Sequence, residues 1–153
     1  MLTLFTVLIT VQFVVVALHD LIDIPGWTYG RQMRAAIGRN KLWLVTLANS
    51  IFPGLAVALA FYYWNKPVPR FAWNYWIIYC AITVGAAVAM WYVPYFFGAT
   101  AKQKTDYAQM YEGTRQILAP RGDNPRPNLL HVCFHLLFVA NLLFIVILRF
   151  RSV

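Results

Sequence analysis

The stretch LLHVCFHLLFVANLLFIVIL, residues 129–148, decides the fold. It runs for twenty residues without an Asp, Glu, Lys or Arg. As an α-helix it would measure about 30 Å, the thickness of a bilayer's hydrocarbon core. Asn128 immediately before it is a good helix N-cap. Three more apolar runs precede it, at about 2–24, 42–64 and 71–97. The first lacks a basic leader and a small-residue cleavage site, so it reads as a retained helix. Pro25-Gly26 ends it. The second contains Pro53-Gly54, which predicts a kink, and a tight turn at 65–70 leads to the third.

The expected architecture is all-α: one transmembrane domain over 1–153, an integral membrane four-helix bundle with a partly helical cytoplasmic loop between its third and fourth helices. Composition agrees. The chain is 61% hydrophobic and 12% charged, where a soluble domain carries about 25% charged residues. The net charge of +8 lies between apolar runs, which points to anionic lipid headgroups and away from nucleic acid. Cys80 and Cys133 are expected at different depths and unpaired, and the absence of a CxxC pair disfavours thiol redox chemistry.

Orientation follows from the basic residues. The loop after the first span carries Arg31, Arg34, Arg39 and Lys41. The loop after the third carries Lys102, Lys104, Arg115, Arg121 and Arg126. The opposite side carries Lys66, Arg70, Arg149 and Arg151, so the count is nine against four. The longer loops are therefore expected in the cytoplasm and both termini outside. Residues 29–37 read as a short interfacial helix, about 104–119 as a surface helix, and 120–127 as a rigid proline-rich turn. Ala81, Gly85 and Ala89 offer a face where another helix can approach, in this chain, in a second copy or in a larger membrane complex.

Ionisable residues at the edge of a span are expensive, and here they converge. The first span ends with His19, Asp20 and Asp23, and the fourth begins, on the same side, with His131 and His135. Each of the pairs His19/Asp23 and His131/His135 is spaced i, i+4 and shares a helix face. Gln12 extends the first stripe, and Asn49 and Ser50 sit at a comparable depth on the second span. Adjacent first and fourth helices would make one polar pocket, with Tyr92 and Tyr95 in its wall and Arg121 and Arg126 at its rim. The expected chemistry is a divalent metal such as zinc on His19, Asp23, His131 and His135, with Asp20 as base. Arg121, Arg126, Asn49 and Ser50 would hold a lipid or other amphiphile. A haem between His19 and His131 or His135 is less favoured, because aspartates are poor neighbours for an apolar macrocycle. The bland alternative is a purely structural cluster that staples the long loop to the bundle, in a non-enzymatic subunit of a larger complex. A transporter ranks third, since no acid lies at mid-membrane.

The passage from Ala119 through Pro120-Arg121-Gly122-Asp123-Asn124-Pro125-Arg126-Pro127-Asn128 to His131 and His135 resembles one found in small bacterial four-span membrane proteins of uncharacterised function. The resemblance implies a bacterial inner-membrane location and brings no activity.

Overall fold

The computed structural model of the chain describes residues 2–151. Its elements are α1 (Leu2–Leu18), β1 (Asp23–Ile24), β2 (Thr28–Tyr29), α2 (Gly30–Ile37), α3 (Arg39–Tyr62), α4 (Arg70–Ala87), a π-helical turn (Val88–Tyr92), α5 (Val93–Phe97), α6 (Ala101–Tyr111) and α7 (Leu129–Phe150). Three helical segments are long and apolar enough to cross a membrane: α3, the continuous run Arg70–Phe97, and α7. The fourth apolar helix, α1, has 17 residues, or about 25 Å.

The four apolar helices close a ring, because α1 packs on α3 and α7, and α4 packs on α3 and α7. The apolar core lies near the start of α1, at Phe5, Ile9, Ala56, Ala60, Trp76 and Ile145. Alanines on α3 let the large rings approach, and the Trp76 indole N–H donates to the Ala56 carbonyl at 3.0 Å. The outside is also apolar: Leu44, Ile51, Ile82 and Leu136 are each more than half exposed. Such an exterior is compatible with lipid as the solvent.

The first helix ends earlier than the sequence predicts, at Leu18 instead of about residue 24. A turn over Ile24-Pro25-Gly26-Trp27 is the cause. Trp27 N–H donates to the Ile24 carbonyl at 2.9 Å, and Gly26 has φ +76°. Proline then glycine at the two central positions is what a type II turn requires. The turn folds the chain back, pairing Asp23 with Tyr29 and Ile24 with Thr28. Gly30 passes so close to Leu21 that a Cβ there would lie 2.6 Å from its carbonyl.

A short helix forms over Gly30–Ile37, within the expected 29–37, and stops at Gly38, with φ +82°. The surface helix differs more from expectation. It starts at Ala101, because Thr100 and Gln103 form a reciprocal capping box. It ends at Tyr111, ahead of Gly113 with φ +75°. Helix α3 runs on through Pro53. Cys80 is buried and Cys133 exposed, and both are free.

Candidate functional site

The end of α1 meets the start of α7, so the chain's three histidines come together. The His19 and His131 rings are edge to face with centroids 5.6 Å apart, and the His131 and His135 rings are 6.0 Å apart. His131 and His135 are both buried.

Hydrogen bonds fix two of these rings. Asn128 caps α7 by accepting the His131 backbone N–H at 3.0 Å, and the same Oδ1 lies 2.8 Å from His131 Nδ1. An amide oxygen only accepts, so Nδ1 carries the proton and Nε2 of the neutral ring keeps its lone pair. His19 repeats the pattern. Its Nδ1 lies 3.1 Å and 3.0 Å from the Val15 and Val16 carbonyls. Its Nε2 therefore faces Asp20 Oδ1, at 3.2 Å, as an acceptor. Two acceptors at that distance repel unless a proton lies between them, either as imidazolium with carboxylate or as imidazole with carboxylic acid. Burial raises the Asp20 pKa, and His19 offsets part of the rise. Oδ1 of Asp20 is shut off from solvent, and His19 Nε2 is the polar atom that faces it.

Aromatic rings enclose the cluster. Trp91 lies over His131 with centroids 4.1 Å apart, and Tyr111 stands edge-on to it at 5.2 Å. Phe134 abuts His19 at 5.1 Å. Tyr92 places its hydroxyl 3.2 Å from His135 Nδ1. Successive residues Trp91 and Tyr92 both reach histidines because they end the π-helical turn Val88–Tyr92. Pro94 just beyond has no N–H to offer the Met90 carbonyl, and a wider turn is one way a helix accommodates that loss. Burial pushes the Tyr111 hydroxyl well above its ordinary range, with smaller upward pushes from Asp20 and Tyr107. Burial likewise raises Tyr107, to about 12.

The loops that follow α1 and α6 form the roof. Arg115 N–H donates to the Gly26 carbonyl at 2.6 Å, Leu129 N–H to the Arg115 carbonyl at 2.7 Å, and the Asn128 amide to the Trp27 carbonyl at 3.4 Å. The Thr28 hydroxyl closes onto the His19 carbonyl.

Several residues expected at the pocket lie elsewhere. Asp23 turns to Arg31, accepting its backbone N–H at 3.1 Å and its side chain at 2.9 Å. The first of these bonds is the main cause of its lowered pKa. Arg121 lies over the Phe96 ring, 4.7 Å from its centroid. Arg126 donates to the Leu118 carbonyl, and Tyr95 to the Ala119 carbonyl. Asn49 is exposed, and Ser50 bonds back to the Thr46 carbonyl at 2.7 Å. Gln12 belongs to a separate layer. It donates to the Tyr79 hydroxyl at 2.7 Å and accepts from Asn141 at 2.6 Å.

For a metal, the available donors are His19 Nε2, His131 Nε2 and Asp20 Oδ1. Each histidine has its other nitrogen tied to an oxygen, as metal-binding imidazoles do. Among the described residues, no three His, Cys, Asp or Glu side chains are gathered closely enough to grip an ion as they stand. A haem would need a slot between two imidazoles, whereas the His19 and His131 rings are in edge contact.

The class these features define is a mostly helical protein with three helices able to cross a membrane and a buried histidine cluster beneath paired loops. Comparison with known protein families, curated proteins and solved structures finds no match.

Proposed function

We propose that the protein is a small integral membrane protein whose His19–Asp20–His131 cluster is an acid–base site acting on the head of a lipid or other amphiphile. In this reading α1 is the fourth span, the long loops face the cytoplasm of a bacterial inner membrane, and both termini lie outside. One observation carries it: the solvent-shielded Oδ1 of Asp20 faces His19 Nε2 at 3.2 Å, beside the buried His131. Asp20 and His19 would hold one proton between them. His131 would be the second base, with its tautomer set by Asn128. A divalent cation is the related possibility the donors allow, with Asp20 in the place expected of Asp23.

The test uses full-length protein in nanodiscs made from bacterial total lipid extract. Mass spectrometry follows the lipids, and elemental analysis follows bound metal. Lipid conversion that is lost in Asp20→Asn and His19→Gln supports the reading. Near-stoichiometric metal lost in the same variants moves it to metal-assisted chemistry. Identical lipid profiles for wild type and variants, with no metal, would sink both.

The second reading is a non-enzymatic subunit, and the stitching of Arg115, Asn128 and Leu129 to their partners favours it. It requires protein partners on native gels. It also requires His19→Gln and Asp20→Asn to destabilise the fold as severely as Asn128→Ala.

A further inference from the structure

Away from the histidines, α2, the first turn of α3 and α6 enclose an open cleft of about 200 Å³. Its lining includes Ile37, Lys41, Lys102, Asp106, Gln109 and Met110. Lys41 and Lys102 are both exposed. Lys102 shares its charge with Asp106 one turn along α6, whereas Lys41 has no ion pair among the described residues. Apolar Ile37 and Met110 lie in the same cleft. Lys41 stands near the first residue of α3, where the chain enters an apolar helix of 24 residues. Two ammonium groups, an amide and an apolar flank at that level match the phosphate and glycerol of an anionic phospholipid.

We propose that the cleft between α2 and α6 is a binding site for the phosphodiester headgroup of an anionic lipid, held by Lys41 and Lys102 and oriented by Gln109. Asp106 tempers the site by competing for Lys102. The site is independent of the histidine cluster, so either can fail without the other.

The experiment is native mass spectrometry of full-length protein in detergent, titrated separately with short-chain phosphatidylglycerol, short-chain phosphatidylcholine and inorganic phosphate. Phosphatidylglycerol should bind more tightly than phosphatidylcholine. Lys41→Gln with Lys102→Gln should weaken it about 25-fold, about fivefold for each lysine near a headgroup. Asp106→Asn should tighten it. Lys66→Gln with Arg70→Gln, at the opposite end of the bundle, should leave it unchanged. Equal binding of the two lipids, or an unaffected double lysine variant, would overturn the proposal. Inorganic phosphate binding as tightly as phosphatidylglycerol would overturn the lipid assignment. Circular dichroism checks that each variant is folded.

Discussion

Asn128→Ala tests whether one amide holds the site together. The Asn128 Oδ1 accepts both the backbone N–H and the Nδ1–H of His131, at 3.0 Å and 2.8 Å. Alanine removes the one acceptor that serves both donors. Loss of an N-cap costs about 1 kcal/mol. The His131 ring is buried, so its orphaned N–H costs about 1–3 kcal/mol more. The bond from Asn128 Nδ2 to the Trp27 carbonyl is long, at 3.4 Å, and adds little. The expected loss is therefore about 2–4 kcal/mol. Reversible unfolding in mixed micelles on titration with sodium dodecyl sulfate, followed by tryptophan fluorescence, would measure it. Asn128→Asp keeps an oxygen acceptor at both positions and should recover most of the loss. The reasoning fails if alanine costs less than about 0.5 kcal/mol, or if aspartate is as damaging as alanine. Nitrogen NMR of the ring gives a second readout: the wild type should show the proton on Nδ1, and Asn128→Ala a mixture of tautomers.

Gly30→Ala places a Cβ 2.6 Å from the Leu21 carbonyl. It should cost about 1–3 kcal/mol in the same unfolding assay, whereas Gly85→Ala, which meets nothing within 4 Å, should be silent. In the mid-bundle layer, Asn141→Leu alone strands the Gln12 carbonyl, but Gln12→Leu with Asn141→Leu removes both partners and should recover part of the stability. The interaction energy of that double-mutant cycle should be about 0.6 kcal/mol, as for other interhelical bonds in membranes; a value of zero would mean that the 2.6 Å bond contributes nothing. Asp23 and Asp123 are held below their ordinary pKa of 3.8, chiefly by the Arg31 backbone N–H and by Lys104 respectively. Carboxylates with depressed values stabilise the fold fully above 3.8 and lose that contribution as pH falls through the folded-state value. Amide exchange in the 23–31 hairpin and around residue 123 should therefore accelerate selectively in acid, and unchanged protection at low pH would contradict these contacts.

The sequence is informative wherever a local rule acts alone. Asn128 reads as an N-cap and is one, Gly38 ends α2, and Pro25-Gly26 turns the chain. The meeting of His19 with His131 follows from depth matching in a closed ring. What stays hidden depends on rotation about a helix axis or on distant partners. Asp20 and Asp23 are equally polar neighbours of the first apolar run, and only the hairpin decides that Asp23 turns out to Arg31 while Asp20 stays in. Nothing in the spacing of Trp91 and Tyr111 points to a histidine, yet the π-helical turn and α6 bring both against His131. Asn141 is a lone amide in an apolar run, and nothing in its spacing points to Gln12. The end of α6 was readable in principle, because Gly113 is the signal that a helix is over.

The bond between Asn128 and Trp27 joins positions 101 residues apart, and that span has a consequence for biogenesis. A ribosome delivers His19 and Asp20 early and Asn128 only after the last loop has emerged. Until α7 packs against α1, the acidic end of α1 has neither its histidine neighbours nor its roof. The cluster therefore completes in a single late event.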